Sequence, residues 1–176
     1  MGTGYCMGTG CCMLAVGVGD LKLTAENGET LVTYGLGSCI GIAIWDPVAG
    51  VAGMLHFMLP ESQSDPEKAR QNPALYADTG IPLLFRSAYQ LGADKKRLLV
   101  RVAGGAQVLD GDGIFNIGKR NYLAMKKIFW KAGVMIHAEE VGGNISRTLR
   151  LEAGSGKLLL QEAGQDVREL GLRRCA

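Results

Sequence analysis

The sequence predicts a single α+β domain, a mixed or antiparallel sheet covered by two main helices, and three observations carry that prediction. Short apolar runs rich in Val, Ile and Leu recur between Gly, Asn and Asp-Pro punctuation, the pattern of strands and tight turns. Two longer segments repeat their apolar residues at helical spacing instead. At 176 residues and 47% hydrophobic, the chain is long enough for one substantial core and too short for two ordinary domains without a clear linker.

Taken in order, residues 1–13 hold Cys6, Cys11 and Cys12 among glycines and threonines. They lack the basic start and long apolar centre of a secretory signal, and read as a disordered leader rather than a soft-metal or redox cluster. The domain proper is expected over 14–162 and opens with strands at Leu14–Val18, Glu29–Tyr34, Cys39–Trp45 and Val51–Phe57. The connection Asp46-Pro47-Val48-Ala49-Gly50 is short enough to make the last two antiparallel neighbours. Cys39 at the start of one strand and His56 near the end of the next can then face each other. The polar stretch Pro60–Pro73 reads as an exposed loop beside the His56 end. A helix capped by Asp78 or Thr79 runs to about Leu91, with Ile81, Leu84, Phe85, Ala88 and Leu91 recurring as its core face, and Gly92 stops it.

Arg97–Ala103 is a further strand, followed by an irregular segment from Gly104-Gly105 to Asp110-Gly111-Asp112-Gly113. The latter lacks the spaced oxygen ligands and closing Glu of a calcium loop, and the former lacks the Lys-Ser/Thr of a phosphate-binding loop, so both read as turns. Asn116 is placed to cap a helix over Gly118–Ala132, with Tyr122, Met125, Ile128 and Phe129 inward and Lys119, Lys126, Lys127 and Lys131 wet. Val134–Val141, Thr148–Leu151 and Leu158–Gln161 complete the strands. The polar tail 163–176 is expected to form a short helix or fray.

Several function classes are excluded. Nineteen basic against 17 acidic residues give no field to hold nucleic acid, and no apolar run reaches the roughly 20 residues of a bilayer span, so no membrane insertion is expected. Five cysteines without CxxC spacing favour neither a disulfide framework nor a zinc site, which fits a reducing cytoplasm. Cys175 reads as an incidental exposed thiol and His137 as structural.

The chemistry-bearing candidates lie in Gly35-Leu36-Gly37-Ser38-Cys39 and in Gly53-Met54-Leu55-His56-Phe57. A neighbouring imidazole or the donor-rich start of a helix favours a thiolate, so Cys39 is a candidate nucleophile with His56 as its base. Gly37 permits a tight turn, and backbone N–H groups around Ser38 and Cys39 can point at a developing oxyanion. Thr33, on the preceding strand, can hydrogen-bond an imidazole nitrogen and fix its tautomer. From residue types alone, a buried apolar cysteine and a core histidine account for the same two positions.

Thr33-x-x-Leu36-Gly37-Ser38-Cys39, then Gly53-Met54-Leu55-His56-Phe57-Met58-Leu59-Pro60, Asn116-Ile117-Gly118-Lys119-Arg120-Asn121, and Val141-Gly142-Gly143 with Arg147 together resemble the chemoreceptor glutamine deamidase family CheD, in family order over about Val16–Leu160. The resemblance implies a cysteine hydrolase, needing no cofactor, that converts glutamine side chains of methyl-accepting chemotaxis receptors to glutamate with release of ammonia. Carried over by position, Cys39 is the nucleophile, His56 the base and Thr33 the orienting residue. It further implies receptor cytoplasmic helices as substrate, the phosphatase CheC as a partner, and a fold like the catalytic domains of deamidating toxins. Arg120, Asn121 and Arg147 are expected at the pocket rim. The rival readings are a docking module for CheC or receptors, and another thiol acyl-transfer hydrolase.

Overall fold

The computed structural model describes residues 5–7, 11–107 and 116–172. The Asp110-Gly111-Asp112-Gly113 turn, Cys175 and the side chains of Cys6 and Cys11 lie outside that description. In chain order the strands are β1 (Tyr5–Met7), β2 (Cys11–Ala15), β3 (Asp20–Thr24), β4 (Glu29–Leu36), β5 (Ile40–Asp46), β6 (Val51–Phe57), β7 (Leu99–Gly104), β8 (Ala138–Val141), β9 (Arg147–Glu152), β10 (Leu158–Glu162) and β11 (Arg168–Glu169). The α-helices are α1 (Pro66–Gln71), α2 (Ala77–Gln90) and α3 (Ile117–Ala132).

The class is α+β, as the sequence predicts, but the strands divide between two sheets rather than forming one. A central sheet runs β3-β6-β5-β7-β8, and an outer sheet runs β1-β2-β4-β9-β10-β11. Both are mixed: β7 and β8 run parallel around the α3 crossover and β2 runs parallel to β4, while the other pairs are antiparallel. The reason for two sheets is written in β5. Ile40, Ile42 and Ile44 pack with Leu55 and Phe57 of β6 against Ile81, Leu84 and Phe85 of α2 and Met125 and Phe129 of α3. The alternate residues, Ala43 on β5 with Ala52 and Met54 on β6 and Ala103 on β7, pack against Leu31, Leu36, Leu149 and Leu151 of the outer sheet. Branched aliphatic and aromatic side chains meet the helices while the alternate face, with Gly41, Ala43 and Ala52 among larger Met54 and Trp45, meets the second sheet, so β5 and β6 are buried on both faces.

Several boundaries differ from the sequence reading for local reasons. Asp20–Thr24 is a strand that the reading left as connection; its Leu21 and Leu23 alternate with polar neighbours and pack on the helix-side core as β3 pairs with β6. Within Pro60–Pro73 a helical turn forms because Asp65 accepts from the Lys68 N–H and Pro66 takes the first helical position. Asp78 and Thr79 do not cap α2, which starts one turn earlier, after Tyr76; Asp78 accepts from Ser62 instead and Thr79 donates to the Pro73 carbonyl. Leu91, expected on the core face, follows the helix and is exposed. Asn116 does precede α3, but in a left-handed conformation (φ 40°) with no capping hydrogen bond from its side chain. The segment read as a leader supplies strand pairs, with Cys12–Ala15 lying beside Glu29–Val32 on an otherwise open edge of β4. The tail likewise contributes β11, paired to Leu159 and Leu160 of β10 with Leu170 buried. Among the described residues no helix is long and apolar enough to cross a membrane.

The β5–β6 turn is fixed by one carboxylate. Asp46, fully buried, accepts from the N–H groups of Val48, Ala49 and Asp94 and from the Arg97 guanidinium, whose Nη2 lies 2.9 Å from Oδ2. Burial pushes its carboxyl up, but Arg97 and these N–H groups outweigh that and hold it well below the usual carboxylate range. Replacing Asp46 by Ala strands four donors at the turn and is expected to lower the thermal midpoint by about 5–10 °C at neutral pH. Because the carboxylate's contribution is present above its unfolded value and lost as pH falls through the folded one, the gap between wild type and variant closes below about pH 4. Calorimetry of both proteins across that range checks it.

Candidate active site

Among the polar links between the two sheets, one joins two side chains singled out by the sequence. Thr33 on β4 and His56 on β6 are both buried, and Thr33 Oγ1 lies 2.8 Å from His56 Nδ1 and 2.8 Å from the Val16 carbonyl oxygen. A hydroxyl has one proton. When Thr33 donates it to Val16, the same oxygen must accept from Nδ1–H, so the arrangement that satisfies both contacts leaves the Nε2 lone pair unprotonated. Nε2 is buried and has no hydrogen-bond partner among the described residues. Leaving such an acceptor unmet costs about 1–3 kcal/mol in an ordinary core.

Cys39 directly precedes β5. In the antiparallel register Gly41 stands opposite His56 and Ile40 opposite Phe57. Two residues before Gly41, Cys39 shares the sheet face of His56 and is its diagonal neighbour, a separation long side chains bridge. The thiol packs at the margin of the inter-sheet core and is half-buried. It makes no hydrogen bond with the imidazole, so the structure joins Thr33 to His56 and brings Cys39 to the same face without closing the last contact.

The loop before Cys39 is held from three sides. A register shift between Thr33 and Leu36 bulges β4, and it is Gly35 (φ 68°), not Gly37, that takes the left-handed conformation. Gly37 N–H donates to the Gly35 carbonyl and so is not free for an oxyanion, and the Gly37 carbonyl accepts from Ala106. The Cys39 carbonyl accepts from Gly105 N–H at 2.8 Å, and a Cβ on Gly104 would stand 2.2 Å from that carbonyl oxygen. From α3, Asn121 donates to the carbonyls of Ser38 (3.0 Å) and Met58 (2.8 Å).

Electrostatics set the resting state. Burial lowers the imidazole of His56 to about 4, so it is neutral at physiological pH. Burial pushes the Cys39 thiol up, against a smaller downward pull from its own backbone N–H. The expected thiolate is thus not the resting form, because a neutral imidazole offers no positive charge to hold one.

The other candidates are distributed as follows. Arg120 is exposed. Arg147 is buried and donates to Glu162 and to the Gly142 carbonyl, bracing the 142–143 turn, whose Gly143 carbonyl in turn accepts from Gln107. His137 accepts from Val100 N–H through Nδ1, a structural contact far along β7 from Cys39. Among the described residues no group of His, Cys, Asp and Glu is arranged to hold a metal. The glycine pair 104–105 was legible as a turn but not as the clamp on Cys39, since that contact joins residues far apart in sequence.

Comparison with known proteins converges on one family. The family model described as CheD chemotactic sensory transduction matches residues 58–162. The probable chemoreceptor glutamine deamidase CheD of Solibacter usitatus is 52% identical over 152 residues, covering 86% of this chain and 90% of its own. That of Syntrophus aciditrophicus is 48% identical over 155 residues (88% and 97%), and that of Caldanaerobacter subterraneus 42% over 159 (89% and 96%). A span of 86% of this chain necessarily takes in residues 33 through 147 wherever it begins, so Thr33, Cys39, His56, Asn121 and Arg147 fall inside the similarity.

The tautomer and the titration are both measurable. In nitrogen-15 spectra, His56 is expected to keep its Nδ1–H form and to titrate near pH 4; a midpoint near 6.5 would contradict the buried, Thr33-linked geometry. Because the unfolded imidazole binds its proton near 6.5 and the folded one near 4, stability falls by about 3 kcal/mol as pH drops across that window and levels off below it. Thr33→Val is expected to remove the tautomer preference and to cost about 1–3 kcal/mol of stability.

Proposed function

The chain belongs to the CheD family, and from that premise we propose that it is a protein-glutamine deamidase acting on chemotaxis receptors. The observation that supports this most directly is the one-proton relay Val16–Thr33–His56, which leaves a buried imidazole nitrogen with an open lone pair on the sheet face of Cys39. This is the arrangement a neutral thiol needs in order to become a nucleophile only at the moment of attack.

In the reaction, Nε2 of His56 takes the thiol proton as Sγ of Cys39 bonds to the carbon of a glutamine side-chain amide. The negative charge collects on the amide oxygen, where N–H groups of Ser38 and Cys39 receive it. The tetrahedral adduct then expels the amine, which carries away the proton from the His56 imidazolium and leaves as ammonia. A water molecule gives one proton to His56, attacks the thioester carbon, and releases glutamate as the Cys39 sulfur recovers a proton. Thr33 keeps Nδ1–H pointed away throughout, so the same lone pair serves both half-reactions.

The substrate class follows from chemistry at the surface of a protein: a side-chain amide reaches a half-buried cysteine without breaking the backbone. Receptor cytoplasmic helices bearing Gln are the expected substrate. Each turnover exchanges a neutral amide for a carboxylate and creates a methylation site. CheC is the expected regulatory partner, and the cytoplasm, where receptor helices are accessible and thiols stay reduced, the expected compartment.

Peptide mass spectrometry of a receptor cytoplasmic fragment, incubated with wild type and with Cys39→Ala, tests the proposal. Gln-to-Glu conversion is expected with wild type and about 10³-fold less or none with the variant. Conversion by both would overturn the nucleophile assignment; no conversion by either would favour a docking module; a cut or crosslinked backbone would favour a different acyl transfer. With an active enzyme, kcat/KM is expected to hold its plateau down to about pH 4 and then fall tenfold per unit, since the base must be unprotonated to act.

A further inference from the structure

The ladder between β5 and β6 ends at Ile40 and Phe57, the residues that directly follow Cys39 and the base in the chain. Beyond that point the two chains part. Met58 and Leu59 N–H both turn to the Leu75 carbonyl, and the Cys39 carbonyl goes to Gly105. The carbonyls of Ser38 and Met58 are then two acceptors facing one gap, with no backbone donor between them. Acceptors cannot bond each other, and a group with two donors on one atom can join them. Asn121 supplies such a group: one Nδ2 donates to both, at 3.0 and 2.8 Å.

We propose that Asn121 is a positioning residue for the reaction, whose side-chain amide acts as an extra rung that sets the spacing of Cys39 and His56. This deepens the deamidase reading above and rests on it. Ser38 is bonded directly to the nucleophile residue, and Met58 lies two residues beyond the base. The rung therefore fixes the outer ends of both segments where the sheet no longer does. The residue is a poor choice for anything else. It lies inside α3, where Asn is a weak helix former, it is fully buried, and its Oδ1 has no partner among the described residues. A Leu there would suit the helix and the core better and would leave both carbonyls unmet. Asp would face them with oxygens, and Gln carries its amide one methylene too far.

The test uses full-length Asn121→Leu and Asn121→Asp beside wild type and His56→Ala. Deamidation of the receptor fragment is expected to lose about 100-fold in kcat with KM changed less than threefold, the signature of a misplaced reacting pair rather than lost substrate binding. Alkylation of Cys39 by iodoacetamide, which needs no receptor, is expected to slow in the Asn121 variants to the rate of His56→Ala, while the His56 nitrogen-15 spectrum keeps its Nδ1–H signature because Thr33 is untouched. Wild-type kcat with wild-type alkylation would overturn the proposal. So would a shifted His56 tautomer, which would place the defect in the fold. If neither variant folds, exchange of the two Asn121 amide protons in the wild type decides: slow exchange of both supports the rung, and exchange as fast as a free amide refutes it. If wild type itself releases no ammonia, the alkylation and exchange results still judge Asn121 separately from the deamidase reading.

Discussion

The site exists because β5 and β6 are covered on both faces. A hairpin with one face in water would leave His56 solvated, with an ordinary titration and a free choice of tautomer. Pressed between the outer sheet and its own, the imidazole loses water and keeps one partner, the Thr33 hydroxyl. The same layering asks for small residues on the inter-sheet side of β5 and β6, and Gly41, Ala43 and Ala52 answer it. Gly41 is the extreme case: a Cβ there would stand 2.8 Å from the Leu36 methyl, and Gly41 is the residue opposite His56. Packing of the outer-sheet leucines beside His56 thus requires a residue without a side chain.

Much of this was legible in the chain. The Cys39–His56 hairpin, the two long helices and the strands at Glu29–Tyr34 and Leu158–Gln161 follow from alternation and turn chemistry over short windows. What could not be read has a common cause. That the strands would split into two sheets depends on which faces of β5 find helices, a matter of tertiary pairing. Asp78 looked like a cap and became an acceptor for Ser62; Gly37 looked like the strained turn and Gly35 took it. The thiolate expectation failed for a different reason: residue types show that Cys39 and His56 can pair, but the depth at which they are buried decides who holds the proton.

The neutral resting pair has chemical consequences for such an enzyme. A standing thiolate is open to oxidants and to any passing electrophile, whereas a raised thiol becomes reactive only when a substrate carbonyl and the Nε2 lone pair are both in place. The glycine clamp at 104–105 and the Asn121 bridge both act on the backbone around Cys39 rather than on its sulfur. Precision in this site is supplied through carbonyl oxygens.

The Val16 carbonyl gives the opening strand a part in that precision. It lies just past β2, a strand with few of the large core residues, yet it receives the proton that decides which imidazole nitrogen is basic. Small shifts in the register of residues 12–16 against β4 would be transmitted as a change of hydrogen-bond polarity rather than of shape. Residues 12–16 therefore bear on the tautomer of His56 without belonging to the β5–β6 hairpin.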